Sequence, residues 1–412
     1  MTLGRQRGGS VRHAPTWADV WGRDVLNGLK IIDVDSHVME PDDLWERFMD
    51  RRFAAFMPKS RRISPTWPYF AQLEVAGNVM GAGGMRMDQI KFVTNPDGER
   101  LTVTEAYAHY IESGFSAASY LDYMDEAGID HMLVYPTIGL PITAYPNLDA
   151  RVAAAIKRAY NSWLHEFCSA GNGRIHGVGA LDLRDVDLAI AEARRCVQEL
   201  GFRSVYILPD PPNEGLPLDH PCYDDLWAEV ASLGVPLGTN ECVPHRIGSV
   251  GHVGLKHVAG SSIPYAGLAT SFGFGEMMAA LLFTGSICAR HPDLRVVFTE
   301  SSVGWAATWL PFLDEKWEAV AIRGFPIAEH SPSWYFANQC FISGDGGDPG
   351  FRQVVDAGLT DCLLAASDFP HPESPDFPHA IDKFFDHETA RLDTETLRKI
   401  FWDNPARLYD LK

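Results

Sequence analysis

The stretch Lys30-Ile-Ile-Asp-Val-Asp-Ser-His-Val-Met-Glu40 decides how this chain is read. An apolar run ends in polar residues spaced two apart, Asp33, Asp35 and His37. Side chains on a strand alternate between faces, so this spacing predicts that all three point the same way. The strand is expected over about Lys30–Val34. Asp35 and His37 then emerge at its carboxyl end, where open α/β sheets and α/β barrels place their chemistry. Aspartate and imidazole are also ordinary ligands for divalent metals. Taken alone, the same residues would serve equally well as loop hydrogen-bond partners, so the weight passes to the rest of the chain.

Further apolar, strand-like runs lie at His131–Tyr135, His176–Leu181, Arg203–Leu208, Val235–Thr239, Leu294–Thr299, Gln339–Ser343 and Cys362–Ser367. Helical periodicity fills most of the gaps, with amphipathic patterns over Arg151–Cys168, Asp185–Leu200, Tyr223–Leu233 and Ala279–Arg290. Gly201, Gly234 and the His291-Pro292 pair stop helices where the chain must return to a sheet. Eight β-runs separated mostly by helices predict an α/β fold that closes into a (β/α)8 TIM barrel. A doubly wound open sheet is the alternative, but no Gly-x-Gly-x-x-Gly follows the first strand. Neither a P-loop nor a Gly-x-Ser-x-Gly elbow occurs. Residues 1–29 read as an N-terminal arm and residues 30–412 as one barrel. A long insertion or lid follows the first strand over about 41–116, and Trp67–Asn78 within it alternates like a hairpin.

A chain of 412 residues with 46% hydrophobic and 22% charged residues is long and apolar enough to bury one large core. Its formal charge of −19 argues against nucleic acid and anionic membranes as partners, leaving a small molecule. Met277–Cys288 is the kind of apolar run that is too short to span a bilayer. The first residues lack the apolar segment of a signal peptide. Seven scattered cysteines without a Cys-x-x-Cys pair suit reduced thiols, so a cytoplasmic location is expected.

A second polar constellation closes the barrel sequence: Cys362-Leu-Leu-Ala-Ala-Ser-Asp-Phe-Pro-His-Pro-Glu373. In a closed barrel the eighth strand lies beside the first, so Asp368 would share a rim with Asp35 and His37. Two carboxylates and an imidazole gathered there need a cation or protons to balance them. Asp368 is thus read as both a metal ligand and a proton carrier, although Ser-Asp-Phe-Pro is also good turn chemistry. Glu300, at the end of the sixth strand, and His371 are further catalytic candidates. Glu40, Tyr135, Trp305 and His245 are candidate substrate contacts, with core packing the simpler role for Trp305 and a helix start the simpler one for Glu40. Arg61, Arg62 and Arg86 in the insertion are possible sources of positive charge for an acidic substrate.

Several landmarks in order along residues 30–412 carry a family resemblance. They are Asp33-Val-Asp-Ser-His-Val-Met-Glu40, Met124-Asp-Glu-Ala-Gly-Ile-Asp130, Tyr135-Pro136 and Ala159-Tyr-Asn-Ser-Trp-Leu164. Glu300-Ser-Ser-Val-Gly-Trp305, Ser367-Asp-Phe-Pro-His371 and Asp403-Asn-Pro-Ala-Arg-Leu-Tyr409 continue the series. The chain resembles the branch of the amidohydrolase superfamily that includes aminocarboxymuconate-semialdehyde decarboxylase and the resorcylate, carboxyvanillate and isoorotate decarboxylases. The resemblance implies a barrel with one divalent metal, usually Zn²⁺ or Mn²⁺, and a homodimer. It implies ligands from an acid- or His-x-His pair on the first strand, a His after the fifth and an Asp after the eighth. Asp35, His37 and Asp368 match; Asn240, in Leu233-Gly-Val-Pro-Leu-Gly-Thr-Asn240, stands where similar proteins carry His. Phe272 occupies a second position that often holds His.

An amide oxygen is a harder and weaker ligand than imidazole, which favours Mn²⁺ or Mg²⁺ over Zn²⁺ at a site that includes Asn240. His245 is the nearest replacement ligand, with His252 and His257 behind it; a site without metal is the remaining option. Three functions follow. The resemblance implies a metal-dependent decarboxylase of a small aromatic or unsaturated acid, with Asp368 protonating carbon. The same residues would suit a metal-dependent hydrolase of a lactone or amide. A metal-free barrel that works by acid and base groups, or that binds a small molecule, is the third.

Overall fold

The computed structural model describes residues 28–62, 71–75, 77–80, 92–94, 100–140, 148–209, 216–240, 270–325, 327–371, 381, 384 and 392–412. Eight parallel strands run in chain order around one sheet. They are β1 (Ile32–Val38), β2 (His131–Pro136), β3 (Ile175–Ala180), β4 (Ser204–Ile207), β5 (Leu237–Thr239), β6 (Val296–Phe298), β7 (Cys340–Asp345) and β8 (Leu363–Ala366). The fold is the expected TIM barrel. The end of β8 closes on β1 through main-chain bonds, Asp368 N–H to Asp35 C=O at 2.9 Å and His37 N–H to Phe369 C=O at 2.6 Å.

β1 extends four residues beyond the expected Val34, so Asp35 and His37 lie on the strand itself rather than past its end. Its pairing with β2 shifts register between Asp33 and Ser36. That irregularity breaks the strict alternation on which the expected common face of Asp33, Asp35 and His37 rested.

Helices form where the periodicity places them, because their ends are capped as the sequence signals. Asp149 accepts from Arg151 N–H at the start of helix Ala150–Ser169, and Asp185 does the same for Leu188 N–H. Gly234, in the left-handed region at φ 71°, ends helix Asp224–Leu233 and turns the chain into β5. Asn161, in helix Ala150–Ser169, donates to Ala180 C=O and accepts from Ala180 N–H, which pins that helix across the end of β3.

In the insertion, strand Lys59–Arg62 pairs antiparallel with Ala71–Val75, and this in turn with Asn78–Met80. Of the expected hairpin, Ala71–Val75 forms a strand and Val75 pairs with Asn78, while residues 67–70 and 76 lie outside the described residues. Arg61 and Arg62 lie on the first of these strands, while Arg86 and almost all of the 1–29 arm fall outside the described residues. Among the described residues no helix is long and apolar enough to cross a membrane.

The end of the barrel opposite the β8–β1 rim carries an imidazole pair. His131 Nδ1 and His176 Nε2, at the starts of β2 and β3, lie 3.1 Å apart. Burial pushes His131 down and His176 down to about 4. Unfolded histidine titrates near 6.5, so between that pH and about 4 the unfolded chain binds more protons and stability falls as pH falls. We expect the wild type to lose about 2 kcal/mol more stability than His176→Gln between pH 7.5 and pH 4.5. Urea unfolding across that range measures the difference, and parallel curves would remove the pair from the acid response.

Candidate metal centre

Four side chains converge at the closed rim. His37 leaves β1, Glu300 follows β6, and Asp368 and His371 follow β8. One ligand atom from each lies within 4.8 Å of all the others. His37 Nε2 is 3.4 Å from Asp368 Oδ1, 3.6 Å from Asp35 Oδ1 and 3.8 Å from Glu300 Oε2. His371 Nδ1 is 3.0 Å from Asp368 Oδ1 and 3.5 Å from Glu300 Oε1, and the two imidazoles stack with centroids 3.8 Å apart.

The backbone presents two of these carboxylates in an unusual way. Glu300 and Asp368 have φ of 53° and 55°, in the left-handed region that costs a residue with a Cβ about 1 kcal/mol or more. Non-glycine residues hold that conformation when the surrounding structure enforces it, and such sites cluster around function. Here main-chain bonds enforce it for Asp368, through its N–H to β1 and its C=O to His371 N–H at 2.8 Å.

His37 has a fixed tautomer. Nδ1 lies 2.8 Å from Pro136 C=O, an acceptor only, so Nδ1 carries the proton and Nε2 presents a lone pair. Nε2 is buried and makes no hydrogen bond. Burial, helped by His371, pushes the His37 pKa well down, so the ring does not gain the proton that would attract its acidic neighbours. Burial and the charges of Glu300 and Asp368 push Asp35 well up. Burial also pushes Asp368 well up, with Glu300 adding to it against the opposing pull of His371. A nitrogen lone pair facing three carboxyl groups calls for a proton on one of them or a cation among them, and a cation engages all of them at once. The donor set, two nitrogens and two carboxylates, fits a divalent transition ion.

Other acids surround this centre. Asp345 ends β7, and burial plus Glu300 and Asp348 push it up to about 7. Glu276 is fully buried, accepts from Thr239 Oγ1 at 2.6 Å and is pushed up to about 8 by burial. The sequence reading missed both. Asp345 carried the same signal as Asp35, an acid at a strand end, but the expected strand stopped two residues short of it. Glu276 opens a helix and carried no signal.

Several expected site residues have other tasks. Asp33 turns away from the rim and braces it, accepting from Ser36 Oγ at 2.6 Å, Ser367 N–H at 3.0 Å and Ser367 Oγ. Burial outweighs these bonds and pushes Asp33 up to about 6. Glu40, expected as a substrate contact, instead accepts three backbone N–H groups, from Thr137 at 3.1 Å, Ile138 at 2.9 Å and Gly139 at 2.8 Å. Both oxygens are thus occupied in holding the loop after β2. Trp305 packs edge-on to Phe298 and Phe336 and donates Nε1–H to Ser301 Oγ, which is the core role. Tyr135 is fully buried, and a Cβ on Gly238 would sit 2.7 Å from its hydroxyl. It fills the barrel interior beneath His37 instead of walling a pocket. Its ring lies 6.0 Å from that imidazole.

Asn240 was expected as a ligand. Thr299 Oγ1 donates to Thr239 C=O at 2.6 Å and therefore accepts from Asn240 Nδ2 at 3.0 Å. The same amide nitrogen faces Asp35 Oδ1 at 3.5 Å. Asn240 turns its amide nitrogen toward Asp35, and its Oδ1, the atom that could ligate, is buried without a hydrogen bond. Asp35 touches His37 but is not one of the four clustered groups. His245, His252 and His257 lie outside the described residues, and Phe272 falls in the short helix Thr270–Gly275.

Comparison with known proteins bears on this arrangement. A family model described as amidohydrolase matches residues 105–411. Gamma-resorcylate decarboxylase of Rhodococcus jostii is 29% identical over 304 residues, covering 71% of this chain and 86% of its own length. An amidohydrolase from Mycobacterium avium subsp. paratuberculosis superposes with a TM-score of 0.72 at 20% identity, covering 93% of this chain and 99% of its own. A dihydroxybenzoic acid decarboxylase from Polaromonas sp. JS666, solved with bound manganese and the inhibitor 2-nitroresorcinol, superposes at 0.61 with 19% identity, covering 93% and 97%.

The bracing role of Glu40 is open to direct test. Glu40→Ala strands three backbone donors, and we expect a loss of about 2–4 kcal/mol in urea unfolding. A loss below about 0.5 kcal/mol would show that water satisfies the loop as well as the carboxylate does.

Proposed function

Since the chain belongs to the amidohydrolase family, we propose that it is a divalent-metal-dependent decarboxylase of a small aromatic carboxylic acid. One observation carries the metal. The buried His37 lone pair, with its tautomer set by Pro136, faces carboxylates without a hydrogen bond. His37, Asp368, His371 and Glu300 would hold the ion, and Asp35 supports the site from beside His37. The gamma-resorcylate decarboxylase of R. jostii supports the substrate class, a benzoate with a hydroxyl beside the carboxylate. The manganese in the Polaromonas decarboxylase supports Mn²⁺ over Zn²⁺, as does a site in which half of the donors are carboxylates.

When bound, the ion supplies Lewis acidity and a positive centre for the substrate's carboxylate and neighbouring oxygen. The residues do the rest. Asp368, held at the rim by main-chain bonds on both sides, delivers a proton to the ring carbon that carries the carboxylate. The carbon–carbon bond then breaks, its electron pair returns to the ring, and CO₂ leaves. His371 Nδ1 and Asp368 Oδ1, 3.0 Å apart, would face the ion side by side. Glu300 keeps the acid-rich side of the centre complete. We place the enzyme in the cytoplasm, in keeping with free cysteines among the described residues, and read it as a homodimer from the family resemblance.

Protein loaded with Mn²⁺ is to be supplied with 2,6-dihydroxybenzoate and related hydroxybenzoates, with CO₂ release as the readout. A matched lactone panel is followed for ring opening. We expect CO₂ from at least one benzoate and a kcat lowered about 10²–10⁴-fold in Asp368→Asn. Ring opening without CO₂ would replace the lyase with a hydrolase, and equal turnover by both proteins would remove Asp368 from the chemistry.

A further inference from the structure

Thr137 lies immediately beyond β2, and its hydroxyl sits 2.9 Å from His371 Nε2. The other nitrogen of that ring, Nδ1, faces Asp368 and Glu300. A neutral imidazole carries one proton, so a ring that gives Nδ1 to a cation must keep its proton on Nε2. Thr137 is the hydrogen-bond acceptor placed to receive it. Its own backbone is immobilised, because Thr137 N–H, with those of Ile138 and Gly139, donates to the buried carboxylate of Glu40. Glu40 sits four residues before the helix Leu44–Phe48, yet its carboxylate reaches across to the loop after β2 and ties the two strand ends together.

We propose that Thr137 is a positioning residue for the metal centre, holding the His371 ring and setting its tautomer, with Glu40 fixing Thr137 in turn. The inference rests on the proposed metal role of His371. A hydroxyl suits this place because it serves both states of the ring. Without an ion, Nδ1–H can donate to Asp368 while Nε2 accepts from the Thr137 hydroxyl. With an ion on Nδ1, the proton moves to Nε2 and Thr137 accepts it. A carbonyl or a carboxylate in the same place would serve only the second state, and an amide N–H only the first. The Thr137 hydroxyl therefore lets the site load and release an ion without leaving a buried ring nitrogen unsatisfied. Pro136 C=O does the corresponding job for His37 but locks that ring into one tautomer. The two stacked imidazoles thus differ in kind: one is preset and one is adjustable.

The test compares full-length wild type, Thr137→Val and Thr137→Ser. Each is titrated with Mn²⁺ by electron paramagnetic resonance of the free ion, and ¹⁵N-histidine spectra report which ring nitrogen carries the proton. We expect Thr137→Val to bind Mn²⁺ about 10–100-fold more weakly. Thr137→Ser keeps the hydroxyl and should stay within about threefold of wild type. Wild type loaded with diamagnetic Zn²⁺ for the ¹⁵N spectra should show His371 protonated on Nε2. Equal affinity in Thr137→Val and wild type would overturn the positioning role. Weak binding in both variants would assign Thr137 to packing, which also overturns it. A wild type that binds no Mn²⁺ would overturn the metal reading and this inference with it, whereas tight wild-type binding with an indifferent Thr137→Val rejects this inference alone.

Discussion

Everything at the rim depends on the last strand closing against the first. Two main-chain bonds make the seam, from Asp368 N–H to Asp35 and from His37 N–H to Phe369, and they position the very residues whose side chains meet above it. The carboxylate of Asp33 reinforces the seam from within by collecting donors from Ser36 on one strand and Ser367 on the other. A buried acid is costly unless it is well hydrogen-bonded, so its presence here reflects how much the closure gains from a shared acceptor.

The seam brings like charges together, and the surrounding structure makes that arrangement persistent instead of relieving it. Asp35, Asp345, Glu276 and Asp368 are all pushed up by burial, and His37 is pushed down by it. His37 has one nitrogen committed to a carbonyl, and its other nitrogen faces Asp35, Asp368 and Glu300 without a hydrogen bond. A divalent ion satisfies the nitrogen and the carboxylates at once, which is why the centre reads as a metal site held ready by the fold.

Much of the polar chemistry near the centre serves geometry. Glu40 and Asp33 are motif residues, yet both spend their oxygens on the protein itself, one on the loop after β2 and the other on the β1–β8 seam. Asn240 is divided: Thr299 and Thr239 dictate which end of its amide faces Asp35, while its buried Oδ1 makes no hydrogen bond. Such residues stand beside the chemistry in sequence and in space, and only the count of their hydrogen bonds separates them from the groups that face the ion.

The amino-acid sequence by itself determined the barrel, the rim that holds the site and three of the residues on it. Strand and helix periods are local properties, and eight repeats leave one way to close. Asp35, His37 and Asp368 were legible because each stands at or near the end of an apolar strand. The tertiary structure decided which polar side chains face the centre and which face their own backbone. Glu300 and His371 were named as catalytic candidates, but their place in a four-residue cluster follows from left-handed backbone at Glu300 and from the turn after Asp368, features that spacing does not encode. Thr137 had no signal in the sequence, since its role comes from a bond to a residue 234 positions away. A local pattern reports which face of an element a side chain leaves; what it meets there is set by the whole chain.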